Sequence, residues 1–240
     1  MKTLITHINP HLDDICGIWL LKKFHPEFKD AKVEFVSASH KGEQETQDRI
    51  YVGTGGGKFD EHKEGLDTCA GSLVYDYLKE NQYIPQDQIT QNALEKLVEW
   101  NRLVDTGRAP TSEYDEFSAQ SFIRTKDNSP QTSQRSVELG IEILDRVLEV
   151  LKRKEQSLLD WEKKVEFKSK FGKSFAVVSE TVNREFAREQ SGELFLIYTP
   201  KSIQYFAPQQ DIKDIYQKVK QLDPEASWFL HQSHHIVICG

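Results

Sequence analysis

ITHINPHLDDICGIWLLKKF, residues 5–24, is the stretch on which the reading of the fold turns. Residues 3–8 alternate and are β-branched, which predicts a short buried strand. Asn9-Pro10 breaks it, and Asp13 or Asp14 can cap a helix running to Phe24, because a carboxylate accepts from the free N–H groups of a first turn. Further along, AKVEFVSA (31–38) and RIYVG (49–53) read as two more strands. Strand, helix and strand with short links predict a parallel sheet with a right-handed crossover. Ligands of open parallel sheets gather beyond the carboxyl ends of the strands, where His7, His11 and Asp13 fall. Imidazole with carboxylate suits Mn, Fe or Zn. A polar strand end (His7) and a plain helix cap (Asp13) would leave the same trace, so these residues alone leave both readings open.

GTGGG (53–57) follows the third strand. It is no P-loop, since Phe59 follows Lys58 where Ser or Thr is needed, and it lacks the spacing of a dinucleotide fingerprint. Its meaning is backbone freedom or close approach to a ligand. KFDEHKEG (58–65) brings Asp60, Glu61 and His62 together beyond a strand. A helix capped at Asp67 or Thr68 covers DTCAGSLVYDYLKE, and a second covers 85–107, placing Asp105 near its end. RAPTSEYDEF reads as loop or short helix, and RTKDNSPQTSQ (124–134) as a mobile loop. Residues 136–167 form one long helical pattern, with Val137, Ile141, Leu144, Leu148 and Leu151 on one face. Beyond it come a strand (SFAVVSE), a helix closed by Gly192, a strand pair (ELFLIYT, KSIQYFAP), a helix (QDIKDIYQKVKQLD) and one or two strands in SWFLHQSHHIVICG. The expected fold is α/β: an N-terminal parallel-sheet domain with its long connecting helix over 1–160, and a smaller α/β domain over 161–240.

Composition narrows the function classes. A formal net charge of −7 argues against broad duplex binding, which shows as a basic domain. Three scattered cysteines make neither a disulfide framework nor a CxxC zinc site, and fit a reduced, cytoplasmic setting. The N-terminus lacks a signal-peptide pattern, and no run approaches the roughly 20 apolar residues that span a membrane. Lys22, Lys23, Arg124, Lys126 and Arg135 are candidates for a basic channel, although loop charge usually only solvates. Trp100, Trp161 and Trp228 are expected in packing rather than as base-stacking platforms. In a strand, His231, Ser233 and His235 would share one face as a substrate-facing patch, or form a polar strand end. The charged long helix is a linker or a dimer contact.

Taken in order, these clusters resemble the motifs of the DHH phosphoesterase superfamily. Its first motif, His-x-x-Pro-Asp-x-Asp, is similar to His7-Ile-Asn-Pro10-His11-Leu-Asp13; its Asp-His-His is similar to Asp60-Glu61-His62; its last Asp corresponds to Asp105. The resemblance is closer to the melanocyte-proliferating-gene type of metal-dependent nuclease, through HLDD (11–14), YVGTGGGKFDEH (51–62), TCAGSLVYDYL (68–78), LVDTG (103–107) and FLHQS (229–233). Two positions depart from the pattern: Tyr51 stands where the family has a strand-end Asp that bridges two metals, and Glu61 where it has the first His of Asp-His-His. The resemblance implies His7, His11, Asp13, Asp60 and Asp105 as ligands of one or two divalent ions, Mn above all. It implies catalytic work for Glu61 and His62, and substrate contacts by His231, Ser233 and His235. The activity implied is hydrolysis of single-stranded nucleic acid ends or short oligonucleotides in an interdomain cleft. A nucleotide-binding protein without catalysis, or a small-molecule pyrophosphatase or phosphatase, are the alternatives. Acidic net charge favours short substrates, since long nucleic acid needs many phosphate contacts.

Overall fold

The computed structural model describes residues 1–40, 45–63, 67–124 and 127–240. It is a mixed α/β structure that divides into two compact units, residues 1–151 and 152–240.

In the first unit, three strands make one parallel sheet in the order β2-β1-β3: β1 (Thr3–His7), β2 (Lys32–Val36) and β3 (Arg49–Tyr51). Register pairs His7 with Val36 and Ile5 with Tyr51, so all three strands end on the same side. α1 (Leu12–Phe24) is buried over its first ten residues, Asp13 and Asp14 included. Ile15, Ile18, Trp19 and Leu21 of α1 enter the core with Leu4, Val52, Phe59 and Val74. Burying two carboxylates beside such a core costs several kcal/mol per charge unless they are paired, so their placement is a first pointer to chemistry.

α1 begins at N-cap His11, earlier than a cap at Asp13 or Asp14 would place it. Asp14 is instead the third residue of the helix, and its Oδ2 accepts the His11 backbone N–H at 2.7 Å. α2 (Ala70–Glu80) is likewise entered from Cys69 rather than Asp67 or Thr68. α3 (Gln88–Asp105) is capped by Asp87, whose side chain accepts from Thr90 N. Its buried face is Thr90, Ala93, Leu94, Leu97, Val98 and Asn101, which leaves Trp100 half exposed on the outer face instead of in packing. A 3-10 turn (Asp115–Phe117) and a short α4 (Ala119–Ile123) follow.

α5 (Pro130–Trp161) starts within the stretch expected to be a mobile loop. Ser129 Oγ accepts from Thr132 N at 3.2 Å, and Pro130 takes the first helical position, where its missing N–H costs nothing. Val137, Leu144 and Leu148 are buried in the core of the first unit, and Trp161 in that of the second.

The second unit is a six-stranded mixed sheet, ordered β4-β5-β6-β7-β9-β8. The strands are β4 (Val165–Ser169), β5 (Gly172–Val178), β6 (Leu194–Thr199), β7 (Ser202–Phe206), β8 (Phe229–Leu230) and β9 (Ile236–Cys239). β4 occupies what reads from sequence as the tail of the long helix; it pairs antiparallel with β5. Short α6 (Arg184–Arg188) supplies Phe186, which packs with Trp161, Phe175 and Phe195. α7 (Lys213–Leu222) lays Val219 on a cluster with Leu194, Ile212 and Val237, against which Trp228 is half buried.

Candidate metal centre

β1 ends at His7, and the chain must turn sharply to enter α1. Asn9 makes that turn with φ +60°, a conformation Asn tolerates better than most residues. Its N–H donates to Ser133 Oγ at 2.9 Å, and Leu12 N–H to Gln120 Oε1 at 3.1 Å, so the loop is held from α5 and α4. The loop presents His7, His11, Asp13 and Asp14 around one point. His7, His11 and Asp14 each offer a ligand atom within 4.8 Å of the others; so do His11, Asp13 and Asp105, and so do Asp13, Asp14 and Glu61. These groups share members, and Asp13 and Asp14 each belong to two of them.

His7 Nδ1 lies 2.9 Å from the Ile8 carbonyl oxygen, to which it can only donate. Its Nε2 lies 3.0 Å from Asp14 Oδ2. Burial by itself would lower the His7 pKa; the hydrogen bond and charge of Asp14 and the Ile8 carbonyl outweigh it and raise it to about 9. A proton therefore bridges His7 and Asp14 in this arrangement. The Nδ1–H to carbonyl bond is the outer contact typical of a metal-ligating histidine; once the Nε2 proton is lost, it fixes the tautomer whose Nε2 lone pair faces inward.

The carboxylates crowd. Asp13 is 3% exposed, and burial first, then the charges of Asp14, Asp105 and Glu61, push its pKa well up. Burial, with Asp14 and Asp105 adding to it, raises Glu61 to about 7, and Asp105 is raised by burial and Asp14. Glu61 Oε2 is buried with no hydrogen-bond partner. An orphaned carboxylate oxygen costs stability unless a cation or a proton completes it. A divalent ion is the group this donor set fits: imidazole with carboxylate suits Mn, Fe or Zn, and the all-carboxylate group Asp13–Asp14–Glu61 suits Mn or Mg.

Asp60 comes to the same region with hydrogen-bond partners of its own. Its Oδ2 accepts Gly56 N–H at 2.6 Å, and its Oδ1 accepts His62 N–H and meets His62 Nδ1, both at 3.0 Å. Burial would raise its pKa, and those three bonds lower it. Asp60 also groups with Glu61 and His62 as a possible ligand set, joined to the Asp13–Asp14–Glu61 group through Glu61. It ties the glycine loop to His62. Among the described residues, His7, His11, Asp14, Asp60, Glu61, His62 and Asp105 line one cavity of about 930 Å³ at the carboxyl ends of the strands, with Asp13 buried behind them.

The strand-end position, Tyr51, is buried at 2% exposure, and its ring stacks with His40 at 6.1 Å between centroids. The carboxylate missing there is met from another direction. At Gly53 (φ +66°) a Cβ would collide with Asp14 Oδ1. Asp14 thus fills the space just beyond β3, and Gly53 must lack a side chain to admit it. From sequence Asp14 reads only as a cap; the adjacent pair in HLDD, one residue from the motif's Asp13, is the signal that could have found it.

His231, Ser233 and His235 belong to the second unit and lie on a turn, not on one strand face. His234 has φ +58°, and its N–H donates to His231 O, closing the β8–β9 connection. His231 Nδ1 and Ser233 Oγ meet at 2.8 Å, whereas His235 Nδ1 turns to Gln210 O at 2.8 Å. Three of the basic-channel candidates have partners of their own: Lys22 donates to Ala31 O, Lys23 pairs with Asp145 and Arg135 with Glu138. Lys126 lies outside the described residues. No helix among the described residues is long and apolar enough to cross a membrane.

No family model matches the chain, and no curated protein matches it. Among solved structures, RecJ from Thermus thermophilus in complex with Mg2+ aligns with 12% identity at a TM-score of 0.35. The alignment covers all of this chain and 47% of the RecJ chain, so the protein spans about half the length of that structure.

Proposed function

We propose that the first unit is a divalent-metal-dependent phosphoesterase that hydrolyses phosphodiesters of short oligonucleotides or nucleic acid ends. The observation that carries this is the orphaned, buried Glu61 Oε2 beside the Asp13–Asp14 pair, a cluster that is costly without a cation. The motif resemblance supplies the reaction class. His7, His11, Asp13, Asp14, Glu61 and Asp105 would hold one or two ions, with Mn as first choice because imidazoles are among the donors. When bound, such an ion neutralises phosphoryl oxygens and lowers the pKa of a coordinated water. The chain's own contributions are separate. The Ile8 carbonyl orients His7. Asp60 occupies the Nδ1 side of His62, so Nε2 is the nitrogen presented to a phosphoryl or leaving oxygen, where it can donate a proton. Gly53 keeps Asp14 in the cluster.

Hydrolysis assays on 5′- and 3′-labelled single-stranded oligonucleotides, in Mn and in Mg, test the reading. Cleavage abolished by His11→Ala and by Asp14→Asn is expected; no cleavage in any added metal would overturn it. A second reading, nucleotide binding without catalysis, is favoured by the aromatic Tyr51 at the strand end, and the same assay separates the two.

A further inference from the structure

The cavity has a second wall that the metal cluster does not use. Ser37, Ser39 and His40 form a turn directly after β2, closed by the His40 N–H to Ser37 O bond at 2.8 Å. The two serine hydroxyls meet at 3.0 Å, and both residues line the cavity with His40. Tyr51 underlies this wall. Its ring stacks with His40 at an interplanar angle of 20°, and a Cβ at Gly55 would lie 2.6 Å from its Cδ1, so the glycine loop runs across the ring. Glu45 locks the arrangement by accepting from Tyr51 N at 3.0 Å and Lys58 N at 2.9 Å.

We infer that the Ser37–Ser39–His40 turn, held by Tyr51, is a specificity subsite for a neutral, hydroxyl-bearing group such as a ribose, esterified to the phosphate that reacts at the carboxylate cluster. The inference rests on the phosphoesterase reading and adds the substrate's second half. Two hydroxyls and an imidazole both donate and accept, which suits sugar hydroxyls. None of the described residues lining the cavity is Lys or Arg. A phosphate held at this turn would find only hydroxyls and an imidazole among the described residues, whereas a sugar needs no cationic partner. The volume, about 930 Å³, is at the upper end of ordinary small-ligand pockets and accommodates a nucleotide-sized molecule. Tyr51 is a positioning residue here: the strand end that could carry a metal ligand carries a platform for His40.

The test measures binding by calorimetry in saturating Mn, with uridine 5′-monophosphate and methyl phosphate as probes. Both carry the phosphoryl group; the first adds a ribose and a uracil, and 2′,3′-dideoxyuridine 5′-monophosphate, which keeps the uracil without the hydroxyls, must bind no better than methyl phosphate, its retained preference overturning the inference. The intact protein is expected to prefer uridine 5′-monophosphate by about tenfold, the worth of one to two net hydrogen bonds. His40→Ala and Ser39→Ala should collapse that preference to less than threefold while methyl phosphate binding stays within twofold. Tyr51→Phe, which keeps the ring, should retain the preference, and Tyr51→Leu should lose it. Equal affinity for both probes in the intact protein, or an undiminished preference in His40→Ala, overturns the inference. Hydrolysis of the p-nitrophenyl ester of uridine 5′-monophosphate runs alongside. A preference that depends on His40 without turnover upholds the subsite and sinks the catalytic reading; turnover without the preference does the reverse.

Discussion

Replacing Glu61 by Gln should make the metal-free protein more stable and the metal-loaded protein less so. Glu61 sits at a pKa of about 7 in the folded chain against 4.5 for the free group. A carboxyl raised in this way is destabilising only when ionised. The cost is small at pH 4.5, grows as pH rises between the two values, and is complete above 7. At pH 8 the shift corresponds to roughly 2–3 kcal/mol, allowing for water in the open cavity. Gln has the same shape and no charge, so in chelator at pH 8 Glu61→Gln should gain about 2 kcal/mol, and at pH 4.5 well under 1 kcal/mol. Metal reverses the order. An ion present at a thousandfold its dissociation constant stabilises the intact protein by about 4.1 kcal/mol, while the Gln variant, missing a ligand oxygen, gains much less. Urea unfolding at pH 4.5 and pH 8, in chelator and in Mn, reads all four states. A Gln variant no more stable than the parent in chelator at pH 8, or one that gains as much from Mn, would refute the reasoning.

Three further outcomes follow from the same geometry. The His7 imidazole, raised to about 9 chiefly by Asp14, contributes stability below pH 6.5 that is lost as pH climbs through 9; in Asp14→Asn its titration, followed by NMR in chelator, should fall toward the free value, because only the Ile8 carbonyl and Glu61 are left to oppose burial, and an unmoved titration would exclude the pair. Gly53→Ala should cost about 2 kcal/mol or more and weaken Mn binding, since a Cβ at φ +66° is strained and collides with Asp14 Oδ1; denaturant midpoints and calorimetry check both halves. Trp161→Ala should cost about 3–5 kcal/mol by emptying the core formed with Phe175, Phe186 and Phe195; a loss under 1 kcal/mol in urea unfolding would contradict that packing.

Much of the first unit is legible in its sequence because local signals and tertiary demands agree there. β1 through β3 alternate or are β-branched, α3 carries a clean apolar stripe with Asp87 as cap, and Gly107 (φ +68°) ends it as expected. The failures have identifiable causes. The start of α5 hides in a polar stretch, although Ser129-Pro130 is itself a helix-start signal; the surrounding polarity masks it. β4 keeps the charged composition of the helix before it, and four of its five residues are exposed, so no alternation of burial marks it. Its pairing with β5 is what makes it a strand. The polar turn at 231–235 reads as strand because nothing local shows that His234 adopts a positive φ. At the site, the residue types and their order are legible from the motifs, but Asp14 is not separable from a cap: it is both, accepting the His11 N–H and facing His7 with the same Oδ2.

The most direct measurement of the central claim is a Mn titration of the purified, metal-stripped chain, followed by electron paramagnetic resonance and calorimetry at pH 7.5. Saturable binding of one or two ions per chain, with proton release from the His7–Asp14 pair and the crowded carboxyls, and its loss in Asp14→Asn and Glu61→Gln, is the result predicted. Mn that stays free in solution at millimolar concentration, or binding indifferent to both substitutions, would contradict it.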